Sequence, residues 1–349
     1  MLKKVRKYVL IILPILLVVG GFAAYKAYNW IFEPGIKLPD GTKNYELIIP
    51  TGWDYTKVGD KLLKEGIIRD PQAFDWVAKQ MKYPDHVKSG RYLITEGMSN
   101  KELVSKLRAG KQDPVEFTFT KFRINTEIAQ YIETKFQMEN PEMLTLLNDE
   151  AYLKTFGLTP QTAIAFFIPN TYEIYWDATP KKLFERMKTE YNKFWNEKRN
   201  KKREKLGLSR LEVVTLASIV EEETNKNDEK QRVAGVYFNR LKKNWNLEAD
   251  PTCKYAAGDF TLTRILKVHT EIDNPYNTYK YAGLPPGPIC TPSIPSIDAV
   301  LNLEEHEFMF FCAKSDFSGY HSFAKTLAEH NQNAQEYHRA LGEYLRNKK

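Results

Sequence analysis

Residues 217–224 read Ala-Ser-Ile-Val-Glu-Glu-Glu-Thr, and they place a carboxylate on the apolar side of a helix. At helical pitch across 211–225, Val213, Val214, Leu216, Ala217 and Val220 form one apolar arc. Glu221 falls inside that arc, between Val214 and Ala217. Glu222 points to the polar side, and Glu223 sits at the boundary. A carboxylate facing a core resists ionisation, so the pKa of Glu221 is expected to rise toward neutrality. That is the requirement for a general acid acting on a glycosidic or ester oxygen. The plainer alternative is a Glu whose stem packs while its head reaches water.

Two loops offer further chemistry. Asn274 to Tyr279 (Asn-Pro-Tyr-Asn-Thr-Tyr) runs toward Gly283-Leu-Pro-Pro-Gly287. Sugars present apolar C–H faces and many hydroxyls, so Tyr276, Asn277 and Tyr279 on a proline-stiffened loop suit them. Asn277 can donate and accept at once, as an N-acetyl group requires. The alternative is a structural loop whose tyrosines cap the core. In Leu247-Glu-Ala-Asp-Pro-Thr252, Asp250 precedes a proline and is expected to be extended. It is either a second carboxylate of the site or an ordinary turn residue. A two-carboxylate hydrolase would need it about 5–10 Å from Glu221.

Other chemistries find less support. The six histidines show no tight metal-ligand spacing, so neither a metal nor another cofactor is expected. No Gly-rich phosphate cradle is present, and Ser218 lacks the G-x-S-x-G elbow of a hydrolase nucleophile. Cys253, Cys290 and Cys312 allow at most one disulfide and show no C-x-x-C spacing.

The elements that must position these residues follow from periodicity. The chain has 349 residues, 42% of them hydrophobic and 13% aromatic, enough for about two domains plus an anchor. Tyr45–Ile49, a helix over 54–64, a second helix with Phe74, Val77, Ala78 and Met81 on one face, Arg91–Thr95, a helix over 99–109 with a Ser99/Glu102 capping box, and an alternating strand over 115–121 form a β-α-α-β-α-β unit. That order resembles the LysM-like module of peptidoglycan-binding proteins; a spacer without ligand is the alternative. From Asn125 the chain is mostly helical with Pro-rich insertions. The clear helices are 180–196, 209–225, 228–243 and a closing one at 325–347, with an apolar strand at 308–313. The fold class is therefore α+β.

The N-terminus is a separate matter. Lys3, Lys4, Arg6 and Lys7 precede an uncharged run from Tyr8 to Tyr25, long enough at about 1.5 Å per residue to cross a hydrocarbon core. Tyr25, Tyr28, Trp30 and Phe32 suit the interface belt. The early cations predict a cytoplasmic N-terminus and an exported body; a cleaved signal peptide would export it too. The expected order is a cytoplasmic tail (1–7), a membrane anchor (8–28), a Pro/Gly linker (29–43), the LysM-like module (44–121) and a catalytic domain (122–349). The net charge of +7 includes the membrane-flanking cations and a run at 198–205. That run is expected to be a solvated helix end or loop, since export argues against nucleic acid as a partner.

Four blocks carry a resemblance. They are Ala217–Thr224; Val236-Tyr-Phe-Asn-Arg-Leu241 running to Leu247–Thr252; Pro275–Tyr279 with Gly283–Gly287; and His321-Ser-Phe323 with Thr326-Leu-Ala-Glu-His-Asn331. Together they resemble the MltG (YceG-like) family of endolytic murein transglycosylases across nearly the whole chain. The resemblance implies a membrane-anchored enzyme of the cytoplasmic membrane. It would cut peptidoglycan between N-acetylmuramic acid and N-acetylglucosamine, leaving 1,6-anhydro ends. It implies Glu221, the first glutamate of its block, as acid and base. Asp250, Tyr276, Asn277 and Tyr279 would position the sugar, with Glu223 beside them. Implied partners are glycan strands, the membrane and cell-wall synthases. One departure is Ala165–Tyr172, where Asn170 replaces the family's usual aspartate. The rival from another class is an exported peptidoglycan-binding scaffold without catalysis.

Overall fold

The structure is a computed structural model that describes residues 2–39 and 42–347, with the side chains of 2–9 and 11 outside the described set. The side chains of Lys3, Lys4, Arg6 and Lys7, and positions Asp40 and Gly41 of the expected linker, therefore lie outside it. The chain is a mixed helical and sheet structure in two compact units. One runs to Glu116 and takes in Lys135–Gln137 and Glu173–Ala178. The other holds Phe117–Thr134, Met138–Tyr172 and Thr179–Lys349.

The first unit begins with α1 (Leu2–Phe32). Its stretch Ile12–Phe32 has a mean hydropathy of 1.4 and is long and apolar enough to cross a bilayer. The expected β-α-α-β-α-β order follows: β1 (Asn44–Ile49), α2 (Tyr55–Lys64), α3 (Pro71–Gln80), β2 (Gly90–Thr95), α4 (Asn100–Ala109) and β3 (Val115–Thr118). Strands β1 and β2 pair antiparallel, Leu47 opposite Tyr92. Their inner faces and the helices enclose Leu47, Ile49, Val58, Leu62, Phe74, Val77, Tyr92, Leu103 and Leu107. The predicted capping box of α4 is formed by Ser99 and Glu102.

The segment after α1, read as a Pro/Gly linker, makes contacts of its own. Ile36 and Leu38 are buried, and the amides of Gly35 and Ile36 donate to Met98 O at 3.0 Å. Trp30 is not a lone belt residue. It packs on Trp76 with ring centroids 5.7 Å apart, and its carbonyl accepts from Asn100 Nδ2 at 2.9 Å. Proline and glycine mark a break in helix, but the apolar residues between them still have a core to enter.

In the second unit, α5 (Asn125–Glu133), α6 (Glu142–Leu147) and α7 (Glu150–Lys154) lead to β4 (Thr171–Ile174), which begins there. Then come α8 (Pro180–Phe194), α9 (Glu197–Leu206), α10 (Arg210–Glu223), α11 (Lys230–Lys242), α12 (Asp250–Ala257), α13 (Lys267–Thr270) and α14 (Ile294–Leu301). The hairpin β5 (Phe310–Ala313) and β6 (His321–Ala324) and the closing α15 (Leu327–Asn347) complete it. The cationic run lies on α9, which buries no residue, as a solvated helix should. The three cysteines are free thiols.

Helices α10, α11 and α14 pack against one another and set the site. Ser209 and Glu212 start α10 with a reciprocal capping box. Every residue from Val213 to Val220 is buried. The helix therefore has neighbours on all sides along its second half, and the one-sided arc of an amphipathic surface helix does not describe it.

Candidate active site

Three successive glutamates leave the end of α10 in three directions, each toward different partners. Glu221 points to the start of α14. Its Oε2 accepts from Ser293 Oγ at 2.5 Å, Ser296 Oγ at 2.5 Å, Ser293 N at 3.3 Å and Lys230 Nζ at 3.0 Å. The side chain of Lys230 is only 4% exposed and that of Glu221 14%. Burial pushes the Glu221 pKa up, but the two hydroxyls and the Lys230 ammonium outweigh it and hold the carboxyl below its ordinary value. The expected rise toward neutrality is thus reversed. An apolar arc gives desolvation only; the sign was decided by donors 72 and 75 residues away.

Glu222 is corrected as well. It does not face solvent. Lys121 Nζ and Arg123 Nη2 each lie 2.9 Å from its carboxylate. Burial raises its pKa, but these two cations bring it below the usual carboxylate range.

Glu223 has the environment that the sequence suggested for Glu221. Burial drives its pKa up to about 7, and the nearby Asp250 charge adds to the rise. Tyr237 of α11 donates its phenol to Glu223 Oε1 at 2.5 Å, which with Arg240 and Lys254 limits the shift. Arg240 is itself fixed, donating Nε to Met309 O at 2.8 Å and Nη1 to Leu247 O at 2.6 Å. A carboxyl that keeps its proton near neutrality, beside a hydroxyl that orients it, is equipped to give and retake a proton.

Asp250 and Tyr279 are brought together: the Tyr279 hydroxyl donates to Asp250 Oδ1 at 2.7 Å. Asp250 is exposed. Although it precedes Pro251, it is not extended; Ala249 is the extended residue, and Asp250 already opens α12. Pro251 stands in the first turn, where its missing N–H costs nothing. Burial and the Asp250 carboxylate push the Tyr279 phenol far above its usual range.

The other two loop residues are placed differently. Asn277 is fully buried. Its Nδ2 donates to Thr270 O at 3.0 Å and Ile272 O at 2.8 Å, and its Oδ1 accepts from Tyr279 N at 3.1 Å and Cys253 Sγ at 3.3 Å. With both ends occupied, it builds the loop and has no face for a sugar. Tyr276 is 8% exposed and packs on Tyr255, centroids 4.4 Å apart. Burial pushes its phenol up.

Sequence reasoning assigned no role to Tyr237, Arg240, Lys230, Ser293 or Ser296. Tyr237 and Arg240 stood in a quoted block, and their types were a signal: a buried phenol and guanidinium on an otherwise apolar helix need partners. A further network lies just past α10. Glu229, 5% exposed, accepts from Thr224 Oγ1 at 3.2 Å and His321 N at 2.8 Å, and its Oε2 lies 2.7 Å from His321 Nδ1. It ties the residue after Glu223 to β6.

Residues 47–336 match the model of the YceG-like family. An endolytic murein transglycosylase of Bacillus subtilis is 30% identical over 338 residues, covering 92% of this chain and 91% of the relative. One from Streptococcus pneumoniae is 27% identical over 92% of this chain, which spans 63% of that longer protein. The 2.6 Å crystal structure of a yceG-like protein from Listeria monocytogenes superposes with a TM-score of 0.56 at 25% identity, covering 83% of this chain and 98% of the other. The chain belongs to the YceG-like family.

Proposed function

We propose that this protein is a membrane-anchored lytic transglycosylase of peptidoglycan, with Glu223 as its acid and base. The single observation that carries the catalytic assignment is the Glu223 carboxyl, oriented by the Tyr237 phenol and near the exposed Asp250, which in turn accepts from Tyr279. The names of the relatives, each an endolytic murein transglycosylase, support the substrate and reaction class.

In the first half-reaction, the Glu223 carboxyl protonates the bridging oxygen of the N-acetylglucosamine leaving group. The bond from muramoyl C1 to that oxygen breaks as an oxocarbenium-like centre develops. In the second, the muramoyl C6 hydroxyl attacks C1, and its proton passes to the Glu223 carboxylate. The proton balance closes on one residue and no water is consumed. A second carboxylate to activate water is therefore unnecessary. Asp250 offers an exposed acceptor and Tyr279 a half-buried ring for positioning the sugar. Glu221, first in its block, remains the rival for the acid. Its salt bridge to Lys230 and its two serine donors favour a structural role, since they stabilise the ionised form.

Anchoring through α1 and an exported body fit the apolar length of Ile12–Phe32. The LysM-like reading of the first unit rests on its element order alone. Mass spectrometry of glycan strands digested by the purified protein tests the reaction. Anhydro-muramoyl ends are expected. Reducing ends would mean a hydrolase, and no new ends would leave the scaffold reading.

A further inference from the structure

We infer that the pocket formed by Arg123, Glu222, Lys254, Tyr255, Phe260 and Ile289 is a subsite for the 2-acetamido group of the glycan. The inference rests on the transglycosylase reading, because an amino-sugar polymer is what brings such a group to this place.

The pocket has about 40 Å3 open to the centres of water molecules, room for a few waters and so for a small substituent. Its walls divide by chemistry as an acetamido group does. The methyl needs an apolar slot. Ile289 is 2% exposed, and the Tyr255 ring lies 6.0 Å from that of Phe260. The carbonyl needs a donor. Lys254 carries three N–H groups, and Arg123 carries five, with Nη2 turned toward Glu222. The amide N–H needs an acceptor. Glu222 receives one hydrogen bond from Lys121 and two from Arg123. A carboxylate has about four acceptor sites, so one stays open.

Position supports the same assignment. Glu222 immediately precedes Glu223. Lys254 lies one turn beyond Asp250 on α12, and its charge acts on Glu223. The two helices that border the pocket, α10 and α12, are those carrying Glu223 and Asp250. Asn277, the residue type best suited to an acetamide, is sealed inside its loop, which leaves this pocket to read the group. Phe260 sits at the edge, half-buried, with the Arg123 guanidinium 5.2 Å from its ring centroid. It is the wall that can be cut back without touching the acid.

The test uses the full-length protein in detergent and glycan strands that are de-N-acetylated and then re-acylated with either acetyl or butyryl groups. A closed acetyl slot should reject the longer acyl chain on the order of tenfold or more in kcat/KM. Phe260→Ala should relieve that rejection and bring the two substrates within about threefold. A purely structural effect of the substitution would slow both alike and leave their ratio unchanged. Equal wild-type rates, or an unaltered ratio in a Phe260→Ala protein that melts normally, would overturn the subsite. If Phe260→Ala does not fold, Phe260→Leu provides the smaller opening, with the same ratio as readout. Calorimetric binding of the two glycans to Glu223→Gln gives the ratio without turnover. Selective binding there, with no cleavage by the wild type, would sink the catalytic reading and leave the subsite standing.

Discussion

Glu221, Glu222 and Glu223 are chemically identical, and their surroundings make them three different groups. Glu223→Gln keeps shape and hydrogen-bonding reach but has no proton to give. It should abolish anhydro ends, a loss on the order of 100- to 10,000-fold from general acid catalysis alone, with little change in melting temperature. Glu221→Gln should do something else. It leaves Lys230, 3% exposed, without its anion. Breaking such a pair costs about 3 kcal/mol, so the variant should melt early while the folded fraction still cuts. A fully stable but inactive Glu221→Gln would restore Glu221 as the acid. The pH dependence has a definite sign. The folded pKa of Glu223, about 7, lies above its ordinary 4.5. The folded state therefore holds this proton more tightly. The resulting stabilisation is complete below about 4.5 and is lost as pH rises through 7, at up to about 1.4 kcal/mol per pH unit. Thermal melts across that window should fall for the wild type and lose this component in Glu223→Gln. Turnover should decline above pH 7, where the acid is spent. A rate that keeps rising beyond pH 8 would contradict the assignment. The block itself was legible in the sequence, but the roles within it were not. Helical periodicity reports how far a residue is from water. It cannot report Ser293, Ser296 or Tyr237, which arrive from other helices and fix the sign of the shift.

At the scale of elements, helices long enough to show their periodicity were readable and the short ones within the Pro-rich insertions were not. Helices α8 and α15 showed their periodicity and fall close to the expected bounds. Helices α12 and α14 were missed. Each has only 8 residues, and Pro251 and Pro295 stand in their first turns, where proline is preorganised for helix. The omission mattered, because α14 brings Ser293 and Ser296 to Glu221 and α12 carries Asp250 and Lys254. Arg199 of α9 holds α14 through a bidentate pair to Asp298 at 2.9 and 3.0 Å. Helix α11 is set by close approach at Gly235. A Cβ there would lie 2.6 Å from the carbonyl oxygen of Glu304. Backbone cannot yield as a flexible side chain does. Gly235→Ala should therefore shift α11, at a cost of about 1–3 kcal/mol. Because α11 carries Tyr237, the shift should also lower kcat. An unchanged melting temperature and normal turnover would show that α11 is not held by this contact.

For the molecule as a whole, the consequential feature is that α1 does not end where its membrane-length stretch begins to need water. The exposed Leu10, Leu13, Leu16, Val18 and Phe22 form an apolar surface that a hydrocarbon core would cover. From Ile12 to Phe32 there are 21 residues, about 31 Å of helix, which matches a hydrocarbon core. Yet Trp30 and Ile31, at the end of that stretch, pack against the core of the first unit. The sequence showed the span but not this sharing, since tryptophan near a membrane boundary reads equally well as an interface anchor. The two roles predict different truncations. If Trp30 only marked the bilayer, fragments beginning at Asn29 and at Glu33 would be equally stable. With Trp30 against Trp76 and its carbonyl bonded to Asn100, the shorter fragment loses a contact of core type. Removing a partly buried tryptophan of this kind costs about 1.5–3 kcal/mol. The fragment from Asn29 should therefore melt several degrees above the fragment from Glu33, and Trp76→Ala should remove most of the difference. In the full-length protein, alkaline carbonate should fail to strip the chain from membranes, and protease added to spheroplasts should remove a C-terminal tag. Equal melting of the two fragments would return Trp30 to the interface belt. Release by carbonate would take the anchor itself away from α1.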